Sequence, residues 1–379
     1  MSDLTKLFST FKIKELILKN RITMAPLYLG YANPDGTVSS LILEHYAKMA
    51  DSGAALIVVE NSAVDPSGLG SPFTLRIDDD HFLPGLSELA RTIHDHGALA
   101  FLQINHTGRY AFMPDKLTPS AIKIGEIETK EMTITDIDRI VEAFARGAKR
   151  VREAGFDGVE IHGGTGYLLV QFLSPRTNLR SDEYGGPLEN RMRFPLRVTD
   201  EVMAAVGEDF PVGYRFLADE ELPDGLHVNE TSILAKKLEK RGVAYLSVMA
   251  GTYDSFILPE YIEKEKQEAY MANYAGEIKK STPETPVITA GRIKTPETAA
   301  RIIEQGTADL IGLARVLLAD PLWPRKSAGL IDLPIVNCEP NCSLCMRRIM
   351  VGKPAFCSQW DKDRREAFLN KIGEKPEQA

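Results

Sequence analysis

Short apolar runs alternate with amphipathic stretches along most of the chain. RITMAP (21–26), ALIVVE (55–60), ALAFLQI (98–104), DGVEIH (157–162), PVGYRF (211–216), AYLSV (244–248), PVITA (286–290) and DLIGLA (309–314) read as eight strands. Helical spacing fills the gaps between them, over 39–52, 81–97, 135–155, 189–207, 231–242, 267–281 and 296–306. The third of these helices is expected to take Thr135 as its cap and to stop at Gly155. The strand runs are continuous rather than alternating, as parallel strands covered on both faces are. Eight βα units in 379 residues predict an α/β fold, a (β/α)8 TIM barrel. A doubly wound sheet would carry a glycine-rich dinucleotide turn after its first strand, whereas the first run here ends APLYLG. Residues 1–20 are expected to form a hairpin under the barrel floor. The division predicted is a barrel over 1–327 and a C-terminal extension over 328–379.

Charge narrows the partners. The chain has 45 basic and 53 acidic residues, interspersed, for a net charge of -8. A general nucleic-acid binder would need a basic face, so nucleic acid is not expected as a partner. The amino terminus does not read as a secretory signal, and no window approaches the roughly 20 apolar residues of a membrane span. A cytoplasmic protein with no membrane partner is expected. Its four cysteines, Cys338, Cys342, Cys345 and Cys357, all fall in one short segment. In a reducing compartment such clustering reads as ligation rather than disulfide formation. Three close thiolates and a distant fourth suit an iron–sulfur cluster, and the same ligand set could instead hold a structural zinc ion.

A TIM barrel places its chemistry at the carboxyl ends of its strands. Those ends carry Tyr28, Glu60, Gln103, His162, Arg215, Ala250 with Gly251, Gly291 with Arg292, and Ala314 with Arg315. The tripeptides AGR and LAR end strands seven and eight, where phosphate groups often bind barrels. Glycine admits a close anion and arginine offers a forked donor. Surface arginines paired with acidic neighbours are the alternative. His162 and Tyr167 stand five residues apart across a Gly-Gly-Thr-Gly turn. The histidine can donate to a substrate carbonyl and the tyrosine can supply a proton; a histidine that merely caps its loop has the same spacing. A zinc-stapled barrel without redox chemistry, or a binding module, is also compatible with these residues.

The segments LKNRITMAP, VVE, FLQINHTGR, AGFDGVEIHGGTGYLLVQFLSPRTNLRSDEYGGPLENRMRF, GYRF, PVITAGRI and DLIGLARVLLADP follow one another in an order and spacing similar to the old yellow enzyme family. The resemblance runs from about residue 7 to residue 326. It implies an NAD(P)H:flavin oxidoreductase barrel with bound FMN, NADH or NADPH as electron donor, and a small-molecule substrate carrying an activated C=C bond. It puts Pro26, Leu27 and Tyr28 beside the flavin ring with Glu60 nearby, Gln103 at the pyrimidine edge and Arg215 near N1 and O2. Gly291, Arg292, Ala314 and Arg315 would take the phosphate. His162 would bind the electron-withdrawing group, with Thr165 as second donor, and Tyr167 would donate the proton. Cys338, Cys342, Cys345 and Cys357 resemble the four-cysteine 4Fe–4S site of the branch that includes 2,4-dienoyl-CoA reductase and trimethylamine dehydrogenase. That branch also implies amine oxidation or demethylation as a second activity, and a separate electron-transfer subunit or carrier. Three positions depart from the family pattern. Tyr28 stands where threonine or cysteine is usual, Thr165 where histidine or asparagine is usual, and three residues rather than two separate the first cysteine pair. A homo-oligomer is compatible with all of this.

Overall fold

The computed structural model describes residues 3–124 and 127–375. A hairpin of β1 (Phe11–Ile13) and β2 (Leu16–Leu18) precedes eight parallel strands. These are β3 (Ile22–Met24), β4 (Leu56–Ala63), β5 (Leu99–Asn105), β6 (Gly158–Gly163), β7 (Val212–Asp219), β8 (Tyr245–Ala250), β9 (Val287–Thr289) and β10 (Leu310–Leu313). Each pairs with the next, and β10 returns to β3, so the sheet closes into the expected barrel. The hairpin plugs the floor: Ile13 and Leu18 pack with Leu56, Phe101, Tyr245 and Leu310 at the lower ends of the strands.

The main outer helices are α1 (Ser40–Ala50), α2 (Leu83–Asp95), α3 (Ile134–Glu153), α5 (Arg193–Val206), α6 (Val228–Arg241), α8 (Ala272–Ser281) and α9 (Pro296–Glu304). Short helices α4 (Leu168–Leu173), α7 (Pro259–Glu265), α10 (Arg315–Ala319) and α11 (Trp323–Ser327) lie among them. Two expectations need correction. The cap of α3 is Thr133, which exchanges bonds with Asp136 in a capping box, so Thr135 falls inside the first turn. The helix expected over 189–207 breaks at Met192. Pro195 has no N–H to offer the Arg191 carbonyl, so the turn before it cannot run on.

The strands also run past their expected ends. Glu60, Gln103, His162 and Arg215 lie inside β4 to β7 rather than after them. Inward and outward positions alternate along a barrel strand, so polar inward residues can sit between apolar outward ones without ending it. Beyond α11, the helices α12 (Leu344–Met350) and α13 (Lys362–Lys371) belong to the extension. It docks near the barrel mouth, where the Ala355 amide donates to the Leu29 carbonyl at 2.9 Å. The Trp360 indole donates to Leu318 at 2.7 Å. Cys338, Phe356, Cys357 and Trp360 share the core cluster of the barrel. Among the described residues no helix is long and apolar enough to cross a membrane.

Candidate active site

A cavity of about 1070 Å³ opens at the carboxyl ends of the strands. That is at the upper end of the roughly 300–1,000 Å³ usual for small-ligand sites. Pro26, Leu27, Tyr28, Thr165, Tyr167, Arg215, Gly291, Arg292, Ala314 and Arg315 line it, together with Cys338 and Cys342. Glu60, Gln103, His162, Cys345 and Cys357 are not among its lining residues. The sequence reading did not single out Tyr110, Tyr253, Glu265 or Met271, which also form its wall.

One end of the cavity is built on arginine. Gly291 has φ +99°, and a Cβ there would lie 3.0 Å from the Met271 side chain, so only glycine lets the chain turn this tightly. Arg292 is buried; it donates to the carbonyls of Glu339 and Pro340 at 3.4 and 3.2 Å. Among the described residues its Nε has no partner. Glu265, the last residue of α7, lies 3.5 Å from Arg292 and 3.2 Å from Arg315 through its two carboxylate oxygens. These arginines do pair with an acid, yet they do so inside the cavity rather than on the surface. A carboxylate held between two guanidiniums marks a place suited to an oxyanion, so the residues fit a phosphate group.

Polar groups continue through the barrel interior. Arg215 donates to the Ser247 hydroxyl at 2.7 Å. Gln103 donates through Nε2 to Oε1 of Glu160 at 2.7 Å, and the Tyr245 hydroxyl donates to Oε2 at 2.9 Å. The sequence reading missed Glu160. Its signal was a carboxylate two residues before His162 in a buried strand, and therefore on the same inward face. Burial raises the pKa of Glu160, opposed first by the charge of Arg215. Glu60 is fully buried, among the described residues neither carboxylate oxygen has a hydrogen-bond partner of ordinary geometry, and burial pushes its pKa up to about 8.

The opposite end is aromatic. After β6 the chain turns through Thr165 (φ +59°) and Gly166 (φ +86°), which delivers Tyr167 to the start of the fully buried α4. The Tyr167 ring meets the His162 ring edge-on, with centroids 5.0 Å apart. Its hydroxyl lies 2.8 Å from that of Tyr253, which is partly exposed. Burial holds the Tyr167 pKa well above the usual phenol value, and the neighbouring hydroxyls of Tyr253, Tyr28 and Tyr110 add to it. Burial and the charge of Arg215 push the His162 pKa down to about 3, so the imidazole is neutral. Among the described residues its Nδ1 has no partner, so that atom caps no described loop. Tyr28 bonds to the Ser71 hydroxyl, and burial pushes its pKa up to about 12. The Thr165 hydroxyl donates to the Met249 sulfur at 3.5 Å.

The four thiols neighbour one another electrostatically. Cys338, Cys345 and Cys342 each oppose ionisation of Cys357, after burial, which pushes its pKa up to about 11. Burial pushes the Cys345 thiol pKa up as well, opposed first by the charge of Arg315. Cys342 lies 3.0 Å from the Ser358 hydroxyl. Among the described residues no group of three His, Cys, Asp or Glu side chains is gathered closely enough to hold a metal ion. The donor chemistry of four neighbouring thiols fits a thiolate-bound iron–sulfur cluster.

The family model described as NADH:flavin oxidoreductase / NADH oxidase matches residues 6–332. The chain belongs to this family. The NADH oxidase of Thermoanaerobacter brockii is 41% identical over 335 residues, 86% of this chain and 51% of that protein. A metal reductase of Desulforamulus reducens is 39% identical over 371 residues, 96% of this chain and 55% of that protein. Among solved structures, 2-naphthoyl-CoA reductase in complex with 2-naphthoyl-CoA superposes with a TM-score of 0.90 at 26% identity, over 96% of this chain and 58% of that one. The chain therefore spans about half the length of these two curated relatives. For an NADH:flavin oxidoreductase barrel, the oxyanion end and the aromatic end face one shared cavity.

Proposed function

We propose that this chain binds FMN, takes electrons from NADH or NADPH, and reduces an activated carbon–carbon double bond in an enone, enoate or enoyl thioester. The observation that carries this reading is a phenol kept protonated beside a neutral histidine, at the mouth of a cavity whose far end holds two arginines. Gly291, Arg292, Ala314 and Arg315 would hold the phosphate of FMN, and Arg215 and Gln103 its pyrimidine edge. Pro26, Leu27 and Tyr28 would flank the ring, with Glu60 behind them. Reduced FMN, when bound, supplies the hydride.

The residues of the chain supply the rest. His162, being neutral, keeps an N–H to donate to the substrate's electron-withdrawing group, and Thr165 adds a shorter hydroxyl donor. Such preorganised donors typically contribute a few kcal/mol each. Tyr167 gives its proton to the α-carbon, and hydride plus proton add across the C=C bond. The resulting phenolate recovers a proton through Tyr253, whose partial exposure connects it to solvent. Tyr167→Phe should slow alkene reduction roughly 10²–10⁴-fold, the usual contribution of general acid catalysis. Reduction of the bound flavin by NAD(P)H should stay within about threefold. Equal losses in both half-reactions would defeat the assignment.

A second reading is favoured by the position of Cys338 and Cys342 on the wall that Arg292 and Arg315 also form. In this reading the four cysteines hold a 4Fe–4S cluster, and electrons leave through it to a carrier or partner subunit, as amine oxidation would require and as the name of the metal reductase relative suggests. Iron, sulfide and zinc analysis of the purified protein separates cluster from zinc. Amines and enoates assayed on one preparation separate the two directions of electron flow.

A further inference from the structure

Glu160 has no role in the mechanism above, yet it is the hub of the polar groups inside the barrel. It is fully buried in β6, with Gln103 as its register partner on β5. Both of its oxygens accept: Oε1 from the Gln103 amide at 2.7 Å and Oε2 from the Tyr245 hydroxyl at 2.9 Å. An ionised carboxylate can only accept, so these bonds fix which way the Gln103 amide faces. Nε2 is committed to Glu160, and among the described residues the carbonyl oxygen of Gln103 has no partner. Arg215 lies two residues beyond Gly213, the register partner of Glu160 on β7. Its charge acts on Glu160, and among the described residues its only side-chain hydrogen bond goes to the neutral Ser247. One carboxylate thus orients the amide and balances the guanidinium.

We propose that Glu160 is a positioning residue for the flavin. It turns the Gln103 carbonyl toward the imide N–H of the pyrimidine ring, and it offsets part of the Arg215 charge that would stabilise an anionic reduced ring. Glu160 touches neither substrate nor flavin. The proposal rests on FMN binding in this cavity, and wild-type protein that binds no FMN would end that parent reading before Glu160 is tested.

The test uses the full chain in three forms: wild type, Glu160→Gln and Gln103→Met, with the double variant completing a cycle. FMN affinity is measured by fluorescence on cofactor-stripped protein, and the flavin midpoint potential by anaerobic titration. Glu160→Gln removes the charge and lets either amide face either way. It should weaken FMN binding about tenfold in the wild-type background and leave binding nearly unchanged in the Gln103→Met background, because the effect passes through Gln103. The oxidised-to-reduced ratio at fixed potential should fall about tenfold. For a two-electron couple that is a midpoint about 30 mV more positive. Equal affinity losses in both backgrounds, or an unmoved potential, overturn the proposal, since a merely structural carboxylate would change stability and leave both readouts alone. If Glu160→Gln does not fold, Tyr245→Phe takes its place. It removes one of the two bonds that hold the carboxylate and should weaken FMN binding about threefold; an unchanged affinity overturns the proposal.

Discussion

Two glutamates near the same cavity, Glu265 on its wall and Glu60 outside its lining, meet opposite conditions. Glu265 lies between Arg292 and Arg315, at the end where charge is met by charge. Glu60 lies buried, and among the described residues neither oxygen has a hydrogen-bond partner of ordinary geometry; it stands beside tyrosines that burial also keeps protonated. The arginine end is organised to hold an anion. The tyrosine end is organised to stay neutral while keeping protons available. Environments that push titratable groups apart in this way divide binding from proton transfer within one pocket.

The strongest break in this comparison should come at the arginine end. Arg315→Ala removes one of two guanidiniums and should weaken FMN binding roughly 10- to 100-fold, the range expected for a lost hydrogen bond to a charged group. Riboflavin, which has no phosphate, should bind both proteins alike. Comparable losses for FMN and riboflavin would mean that Arg315 supports the fold rather than the phosphate. At the tyrosine end the largest effect after Tyr167 should come from Tyr253→Phe, which cuts the proton route back to Tyr167. A slowdown on the order of tenfold is expected in alkene reduction, with an altered solvent isotope effect and unchanged flavin reduction. A rate that ignores this substitution would mean that water reprotonates Tyr167 directly.

The arginine end was legible in the sequence because its chemistry is local. AGR and LAR are contiguous, glycine and arginine state their own roles, and the barrel rule says where strand ends point. The barrel itself was legible for the same reason, since each buried strand is a continuous apolar run. Two kinds of feature were not. Glu265 comes from a short helix, α7, that lies between the predicted elements, and only folding brings it to the arginines. Glu160 was hidden by treating its strand as uniformly apolar, although alternation puts it on the face of His162. Thr133 was passed over for Thr135 because the reciprocal partner, Asp136, must be counted three residues on from the true cap. Tyr110 and Tyr253 belong to loops after different strands, so nothing in either segment signals that their ring centroids lie 4.8 Å apart.

A smaller effect sharpens the arginine side. In the proposed phosphate site Glu265 competes with the phosphate for Arg292 and Arg315, so Glu265→Gln should free both guanidiniums. FMN should bind severalfold more tightly, by about the 0.5–1.5 kcal/mol of one net polar interaction, and riboflavin binding should not change. Weaker FMN binding in this variant would show instead that Glu265 holds the arginines in place for the phosphate.

The smallest effect concerns the neutral side and is read as stability. The carboxyl of Glu60, with its pKa pushed up to about 8 by burial, would titrate near 4.3 in the unfolded chain. Its folded pKa is raised, so the stability tied to its proton is fully present below about pH 4 and is lost as pH rises through 8. Glu60→Gln keeps the shape and removes the titration. In cofactor-free protein it should melt with the wild type in mild acid and above it at pH 9, by a gap on the order of a few degrees. Melting curves from pH 4.5 to 9.5 measure this directly. A gap of constant size across that range would mean that Glu60 ionises without penalty, and the contrast between the two glutamates would then lie in their partners alone.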